Sequence, residues 1–184
     1  MLAAPGATGL TDAAEARRAL LDDAIRAVPL LEHLPGDVVD VGSGGGTPGI
    51  PLAASFPGRA FTLLEAERRK CAFLEEVTRP LGNVTVLWGR AEEQPTDTFG
   101  VALAKALAKP PVAAELCLPL VAPGGAAVLW LADSADREPV ATVAGMLGAD
   151  LEEDREGLVV LRKLRPTPQG FPRRPGMAKK RPLA

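Results

Sequence analysis

The chain has 184 residues, of which 47% are hydrophobic and 24% charged, a composition typical of one globular domain of ordinary size. Two cysteines and a single histidine exclude a disulfide scaffold and a zinc cluster. The histidine, His33, lies on a predicted helix, which argues against a Ser-His-Asp hydrolase. No apolar run approaches the roughly 18 residues of a membrane span, and the start lacks the basic residues of a signal peptide, so we expect a cytoplasmic protein outside any membrane.

The net charge of −2 conceals two regions of opposite sign. Residues 162–184 carry eight basic side chains and no acidic one, whereas residues 1–161 hold 13 basic and 23 acidic side chains, a net charge of −10. A basic, proline-rich end on an acidic body indicates either contact with a polyanion or a solvated, disordered terminus. The candidate contacts are Arg173, Arg174, Lys179, Lys180 and Arg181.

Residues 1–11 are small and contain Gly and Pro, and we expect them to be disordered. Apolar residues then recur at helical spacing from Thr11 to Leu34, with Thr11 or Asp12 as the cap and Pro35-Gly36 as the end. Beyond this helix, short apolar runs alternate with helical patterns, which predicts βαβ units and a mostly parallel sheet. Strands are predicted at 38–41, 60–64, 84–88, 101–104 and 126–131, and helices at 48–56, 66–81, 110–121 and 136–148.

The last part of the chain follows a different pattern. Residues 151–155 and 158–164 flank a Glu-Gly turn and predict an antiparallel hairpin at the edge of the sheet. Five prolines from Pro166 onward predict a tail without regular structure. Trp88 and Trp130 lie in predicted strands, where we expect both indoles to be in the core.

A glycine-rich loop follows the first predicted strand and reads VVDVGSGGGTPGIPL together with its flanks. Gly42, Gly44 and Gly46 permit positive φ angles and let a ligand approach the backbone. Thr47 is placed to cap the following helix, and Pro48 suits its first position. A loop that joins a strand to a helix N-terminus favours an anionic group such as a carboxylate.

The spacing of these glycines distinguishes between cofactors. A dinucleotide fingerprint requires a third glycine where the chain has Thr47, which argues against a nicotinamide dehydrogenase, and no G-K-[ST] motif follows. Asp40 is placed to approach the ammonium of an amino-acid ligand, and Glu65, at the end of the second strand, to bind the hydroxyls of a ribose. We infer S-adenosylmethionine as the cofactor, with a simple tight turn as the alternative interpretation of the glycines.

Four stretches carry a resemblance to a known family: DVGSGGGTPGIPLA, FTLLEAERRKCAFLEEV, GRAEE and PTPQGFPRRPGMAKKRPL. They resemble the glucose-inhibited division protein B (GidB) family of 16S ribosomal RNA guanine-N7 methyltransferases, also called RsmG, over residues 21–183. The resemblance implies a class I SAM-dependent methyltransferase fold: α/β and Rossmann-like, with a mostly parallel seven-stranded sheet and a C-terminal antiparallel hairpin. The expected organisation is a disordered 1–11, a methyltransferase domain at 12–165, and a basic tail at 166–184.

The resemblance also implies an activity and a set of contacts. The protein would transfer a methyl group from S-adenosylmethionine to guanine N7 in 16S ribosomal RNA, free or in the small ribosomal subunit. The sequence leaves the oligomeric state open, and we favour a monomer. The family's cofactor contacts fall on Gly42, Thr47, Ala91, Glu92 and Lys105. No metal is implied and no catalytic residue is assigned, because N7 carries a lone pair and no proton, so its methylation requires alignment rather than a general base.

The chain departs from the family pattern in three places. Lys105 replaces the usual Arg, VLWLAD replaces a Lys-Gly pair after the fifth strand, and the N-terminal helical segment is shorter, with Ala19 in place of a His. These departures leave two other hypotheses open. One is a weakly active or inactive paralogue that binds the cofactor or RNA, and the other is a methyltransferase for a different substrate, either a small molecule or a protein.

Overall fold

The computed structural model describes residues 12–184, so the prediction of disorder for 1–11 lies outside the described residues. The helices are α1 (Ala13–Ala16), α2 (Asp23–Ile25), α3 (Val28–Leu31), α4 (Gly49–Ser55), α5 (Arg68–Thr78), α6 (Pro110–Cys117), α7 (Glu138–Met146) and α8 (Met177–Lys180). The strands are β1 (Val38–Val41), β2 (Phe61–Glu65), β3 (Val84–Trp88), β4 (Phe99–Lys105), β5 (Val121–Trp130), β6 (Ala149–Arg155) and β7 (Leu158–Lys163). Within 12–184, no helix has both the length and the apolar character needed to cross a membrane.

The seven strands form one sheet in the order β3-β2-β1-β4-β5-β7-β6. The first five strands are parallel, and β7 pairs antiparallel with both β5 and β6. This arrangement confirms the predicted α/β fold with a C-terminal antiparallel hairpin. The predicted strands lie within one or two residues of the observed ones at most ends, but β5 begins at Val121 rather than at residue 126.

Apolar residues cover both faces of the sheet because neighbouring residues of a strand point to opposite sides. On β4, Ala102 and Ala104 belong to the core beneath α6 and α7, whereas Val101 and Leu103 belong to the core beneath α3 and α4. These central strand residues are almost fully buried. The sheet therefore forms a rigid platform, and the loops at its carboxyl edge are the parts free to form a site.

The structure differs from the predicted helices at both ends of the chain. The single helix predicted from Thr11 to Leu34 is divided into α1, a π-helical turn at Arg17–Asp22, α2 and α3. Pro29 has no N–H for the helical ladder, so α3 restarts with this proline in its first turn. At the other end, the tail was predicted to be irregular, but it contains the short helix α8 between its prolines.

Three glycines meet at the amino end of the sheet, opposite its carboxyl edge. The Cα of Gly100, on β4, lies close to Gly36, and its carbonyl lies against Gly125 on β5. A Cβ at Gly100 would overlap the carbonyl oxygen of Pro35. The chain entering β1 therefore crosses β4 at a distance that only glycine allows.

We expect Gly100→Ala to lower the free energy of unfolding by about 3 kcal/mol or more. The added methyl group would overlap the Pro35 carbonyl and the Gly36 Cα, which are backbone atoms and cannot rotate away. Chemical denaturation measures this loss. Gly58→Ala is the matched control, since nothing lies within 4 Å of the added methyl group. It should change the free energy of unfolding by no more than about 0.5 kcal/mol. Equal stabilities for the two variants would contradict the steric argument.

Candidate functional site

A cleft of about 470 Å³ opens at the carboxyl ends of the first four strands. Chain connections leave β1 toward β2 and β3 on one side, and β4 and β5 lie on the other side. A crevice forms where the strand order reverses in this way, and ligands of open α/β sheets bind there. The loops that line it follow β1, β2, β3 and β4, which are the positions of the residues predicted from the sequence.

The glycine-rich loop forms the floor of the cleft. Gly42 and Gly44 line the cleft with φ angles of 71° and 55°, and a Cβ at Gly42 would overlap the side chain of Leu107. Gly46 also has a positive φ, but it faces away from the cleft toward Ile50 and Leu74. Two of the three glycines therefore line the cleft, and Gly46 has a packing role.

Asp40 lies beneath this loop and does not line the cleft, which corrects its predicted contact with a ligand's ammonium group. Its side chain is 1% exposed, and Oδ2 accepts a hydrogen bond from the backbone N–H of Gly49 at 3.0 Å. Burial raises the pKa of the Asp40 carboxyl to about 7, against the lowering effect of the Gly49 hydrogen bond. Asp40 thus anchors the start of α4 to the end of β1.

Because Asp40 accepts the N–H of Gly49, Thr47 does not act as the predicted helix cap. The sequence predicted Thr47 as the helix cap and Pro48 as the first helical residue, but α4 begins at Gly49, one residue later. Thr47 Oγ1 is buried and, among the described residues, has no hydrogen-bond partner. Since Thr47 also lines the cleft, its hydroxyl can form a hydrogen bond with a ligand bound there.

Glu65 ends β2 at the wall of the cleft, as predicted, with 7% of its surface exposed. Its two carboxylate oxygens accept backbone hydrogen bonds from Gly44 and Glu67, each at 2.9 Å. Each oxygen retains a second lone pair for a hydroxyl donor. Glu65 therefore fixes the glycine-rich loop and also presents acceptors to the cleft.

Ala91 and Glu92 lie in a 3-10 turn after β3 and line the opposite part of the cleft. Glu92 Oε1 accepts a hydrogen bond from the backbone of Gly176 at 2.9 Å. This contact brings residues 171–181, which we call the C-terminal strap, to the rim of the cleft. Gly176, Ala178 and Lys179 of the strap line the cleft. Sequence reasoning assigned no cofactor contact to these residues.

Lys105 stands at the boundary between two clefts. It lines the main cleft and also a neighbouring one of about 420 Å³, which contains Trp130 and Asp133. Its Nζ lies 2.5 Å from Oδ2 of Asp23 on α2, a partner that the sequence did not reveal. The short N-terminal helices therefore contribute a carboxylate that holds the Lys105 ammonium at this boundary.

The basic residues of the strap are divided between internal and exposed positions. Arg173 forms two hydrogen bonds of 2.6 Å with the carboxylate of Glu115, which corrects its predicted role in contacting RNA. The remaining four predicted contacts are exposed: Arg174, Lys179, Lys180 and Arg181. Glu115 could have been noticed as the lone acid of an apolar helix, since a buried charge requires a partner.

Trp88 lies at the end of edge strand β3 and is 54% exposed, so its predicted place in the core is wrong. Its indole Nε1 donates to the carbonyl of Ala66 at 3.1 Å, and the Arg68 guanidinium carbon lies 4.1 Å from the ring centroid. Ala66 lines the cleft, so the indole is fixed to its rim. Trp130 is half-buried and packs against the core beneath α3 and α4.

Comparison with known proteins gives a consistent result. A family described as rRNA small subunit methyltransferase G (GidB) matches residues 4–151. The chain is 37% identical to "Ribosomal RNA small subunit methyltransferase G" of Pelotomaculum thermopropionicum, over 86% of this chain and 74% of the relative. It is also 37% identical to the protein of the same name from Symbiobacterium thermophilum, over 96% and 82%.

Solved structures share the fold at low sequence identity. One example is the magnesium protoporphyrin IX methyltransferase of Synechocystis, determined with bound SAM, which has a TM-score of 0.59 and 16% identity. The alignment covers 77% of each chain. The likeness supports a class I methyltransferase fold and nothing more specific.

The raised pKa of Asp40 predicts how stability changes with pH. The unfolded carboxyl ionises near its ordinary value of 3.8, so between about pH 4 and pH 7 the folded state holds a proton that the unfolded state releases. This group therefore lowers the free energy of unfolding as the pH rises through that range. Asp40→Asn has no such proton, and its amide oxygen can still accept the Gly49 N–H.

We expect the free energy of unfolding of Asp40→Asn, relative to the parent, to increase by roughly 2–3 kcal/mol between pH 5 and pH 8. Chemical denaturation of both proteins at the two pH values measures this difference, and contributions from all other titrating groups cancel. A difference that does not change with pH would show that the Asp40 carboxyl is already ionised at pH 5.

Proposed function

The chain belongs to the rRNA small subunit methyltransferase G family, and from this membership we propose that its main cleft binds S-adenosylmethionine for methyl transfer to N7 of a guanine in 16S ribosomal RNA. The protein is a SAM-dependent rRNA methyltransferase with a class I fold. The observation that carries the site assignment is the buried Thr47 hydroxyl, which has no hydrogen-bond partner within residues 12–184 and lines the same cleft as Glu65 at the strand-order reversal.

The residues of the cleft fit the parts of this cofactor. Glu65 presents carboxylate lone pairs suited to ribose hydroxyls, and Thr47 offers a buried hydroxyl beside the glycine-rich loop. Gly42 and Gly44 keep the floor of the cleft free of side chains. Ala91 and Glu92 lie at the far side, where an apolar surface and a polar rim suit a purine.

The proposed reaction requires no general base from the protein. The sulfonium group of S-adenosylmethionine supplies an electrophilic methyl group, and guanine N7 is a nucleophile that requires no deprotonation. The task of the chain's own residues is therefore to align the two and to exclude water. Lys105 is placed for this task, because it belongs to both clefts and Asp23 holds its ammonium in place.

The proposed RNA contact is the outward side of the strap. Arg174, Lys179, Lys180 and Arg181 are exposed beside the cleft, on a protein whose first 161 residues carry a net charge of −10. Phosphate neutralisation requires concentrated positive charge, and the strap carries four exposed basic side chains. We propose that a monomer binds 16S ribosomal RNA, free or in the small subunit, in the cytoplasm where ribosomes assemble.

Methyl transfer tests the proposed reaction directly. We expect purified protein, incubated with methyl-labelled S-adenosylmethionine and an unmodified 16S ribosomal RNA transcript or small subunits, to form 7-methylguanosine, identified by mass after nuclease digestion. Gly44→Arg should abolish cofactor binding and transfer, because it places a long cation in the cleft at a backbone φ of 55°. Gly58→Arg is the matched control at an open position and should retain both.

The other outcomes of this assay discriminate between the remaining hypotheses. Cofactor binding without labelling of either RNA substrate would reject the proposed reaction and favour an inactive paralogue. Labelling of RNA at another base atom would reject N7 and keep the RNA substrate. Failure to bind S-adenosylmethionine would reject the cofactor site itself.

The strap charges predict a salt dependence. We expect the double variant Lys180→Ala/Arg181→Ala to weaken RNA binding and to reduce the slope of log K against log salt by about 1–2, since each lost phosphate contact removes about 0.7–0.9. Filter binding over a range of salt concentrations measures this slope. Arg79→Ala is the control, because Arg79 is exposed at the far end of α5. An equal slope for all three proteins would remove Lys180 and Arg181 from the RNA interface.

A further inference from the structure

The strap is held against the protein by an unusual internal ion pair. Glu115 is only 4% exposed and lies on α6, whose other residues are apolar or proline. Arg173 satisfies both of its carboxylate oxygens, at 2.6 Å each. The same guanidinium donates to the carbonyl of Arg181 at 2.9 Å, and so ties the two ends of the strap together. A buried carboxylate without this partner would be strongly destabilised.

Two further contacts fix the middle of the strap. The Gly176 N–H donates to Glu92 at the cleft, and Ala178 is 2% exposed within the core beneath α6 and α7. Helix α8 has four residues, which is far too short to be stable alone. Its conformation therefore depends on docking, to which the ion pair, these two contacts and the packing of Phe171 against the core all contribute.

The docked strap contributes to the cleft itself. Gly176, Ala178 and Lys179 line it together with the glycine-rich loop and Glu65. We infer that the strap is a wall of the cofactor site, and that Glu115 and Arg173 are positioning residues that hold this wall in place. The inference rests on the proposed function for the identity of the cofactor.

The consequence for binding follows from the geometry. Without the strap, the part of the cleft beside Glu92 is open to solvent, so a bound ligand loses contacts with Gly176, Ala178 and Lys179. We expect such a loss to speed ligand dissociation and to raise the KM for the cofactor more than it lowers kcat. A purely structural role for the ion pair would instead lower global stability and leave the affinity of the folded protein unchanged.

Calorimetric titration with S-adenosylhomocysteine tests the wall. We expect Arg173→Gln to bind it about tenfold more weakly than the parent, the size of effect that a few lost hydrogen bonds produce. Arg173→Lys keeps the charge but lacks the two-pronged geometry, and it should recover part of the affinity. Arg79→Gln makes the same change far from the strap and should bind like the parent. Thermal unfolding of each variant shows whether it is folded at the temperature of titration.

A second measurement covers the case in which Arg173→Gln does not fold. Trypsin cuts after exposed basic residues that are not followed by proline, and in the strap these include Lys179 and Lys180. We expect saturating S-adenosylhomocysteine to slow cleavage within the strap of the parent protein severalfold. Cleavage after Arg18, which is exposed and does not line the cleft, should proceed as before. In a folded Arg173→Gln variant, strap cleavage should be faster and the protection smaller.

The outcomes separate this inference from the proposed function. If the parent protein binds S-adenosylhomocysteine, and either Arg173→Gln binds it equally well or the ligand gives no strap protection, the inference is overturned and the cofactor assignment stands. If the parent protein binds neither S-adenosylmethionine nor its product, the proposed function fails, and the inference about its cofactor site fails with it.

Discussion

The site depends on two buried or nearly buried carboxylates that hold one loop. Asp40 binds the N–H of Gly49 at the far end of the glycine-rich loop, and Glu65 binds the N–H of Gly44 in its middle. The loop has little side-chain packing of its own, so these two hydrogen bonds replace the contacts that glycine cannot make. The strands beneath supply fixed points for both carboxylates, because β1 and β2 are paired in register along their length. Asp40 and Glu65 therefore both shape the floor of the cleft, although of the two only Glu65 lines it.

The sheet could be predicted from the sequence because its signals are local. Short apolar runs such as VVDV and VTVLW predict buried strands, and β1 and β3 have the predicted bounds. The break between α2 and α3 and the short helix α8 depend on tertiary packing, which outweighs both periodicity and proline content. The late start of the helix at Gly49 has the same origin, since Asp40 satisfies the N–H that Thr47 was expected to cap.

The sequence predicted most of the residues that line the cleft, but not all of the contacts that these residues make. Gly42, Gly44, Thr47, Glu65, Ala91, Glu92 and Lys105 all line the cleft. Asp40 has another role because its side chain points beneath the loop, away from the cleft. Arg173 has another role because it pairs with a residue distant in sequence. Glu115 lies 58 positions from Arg173, and no periodicity connects two such residues. Charge alone therefore overestimates the basic surface available to a polyanion, since Arg173 of the basic tail pairs with an acid of the protein itself.

The exposed indole of Trp88, at the end of β3, is an intrinsic fluorescent probe. The chain contains no tyrosine and two tryptophans, and only Trp88 is largely exposed. Its hydrogen bond to Ala66 links the ring to the backbone between Glu65 and Glu67, and the stacked Arg68 is sensitive to the same backbone. Any event that reorders this turn alters the polarity around the ring and shifts its fluorescence emission. With Trp130→Phe to remove the second emitter, events at the cleft become visible in real time without a dye.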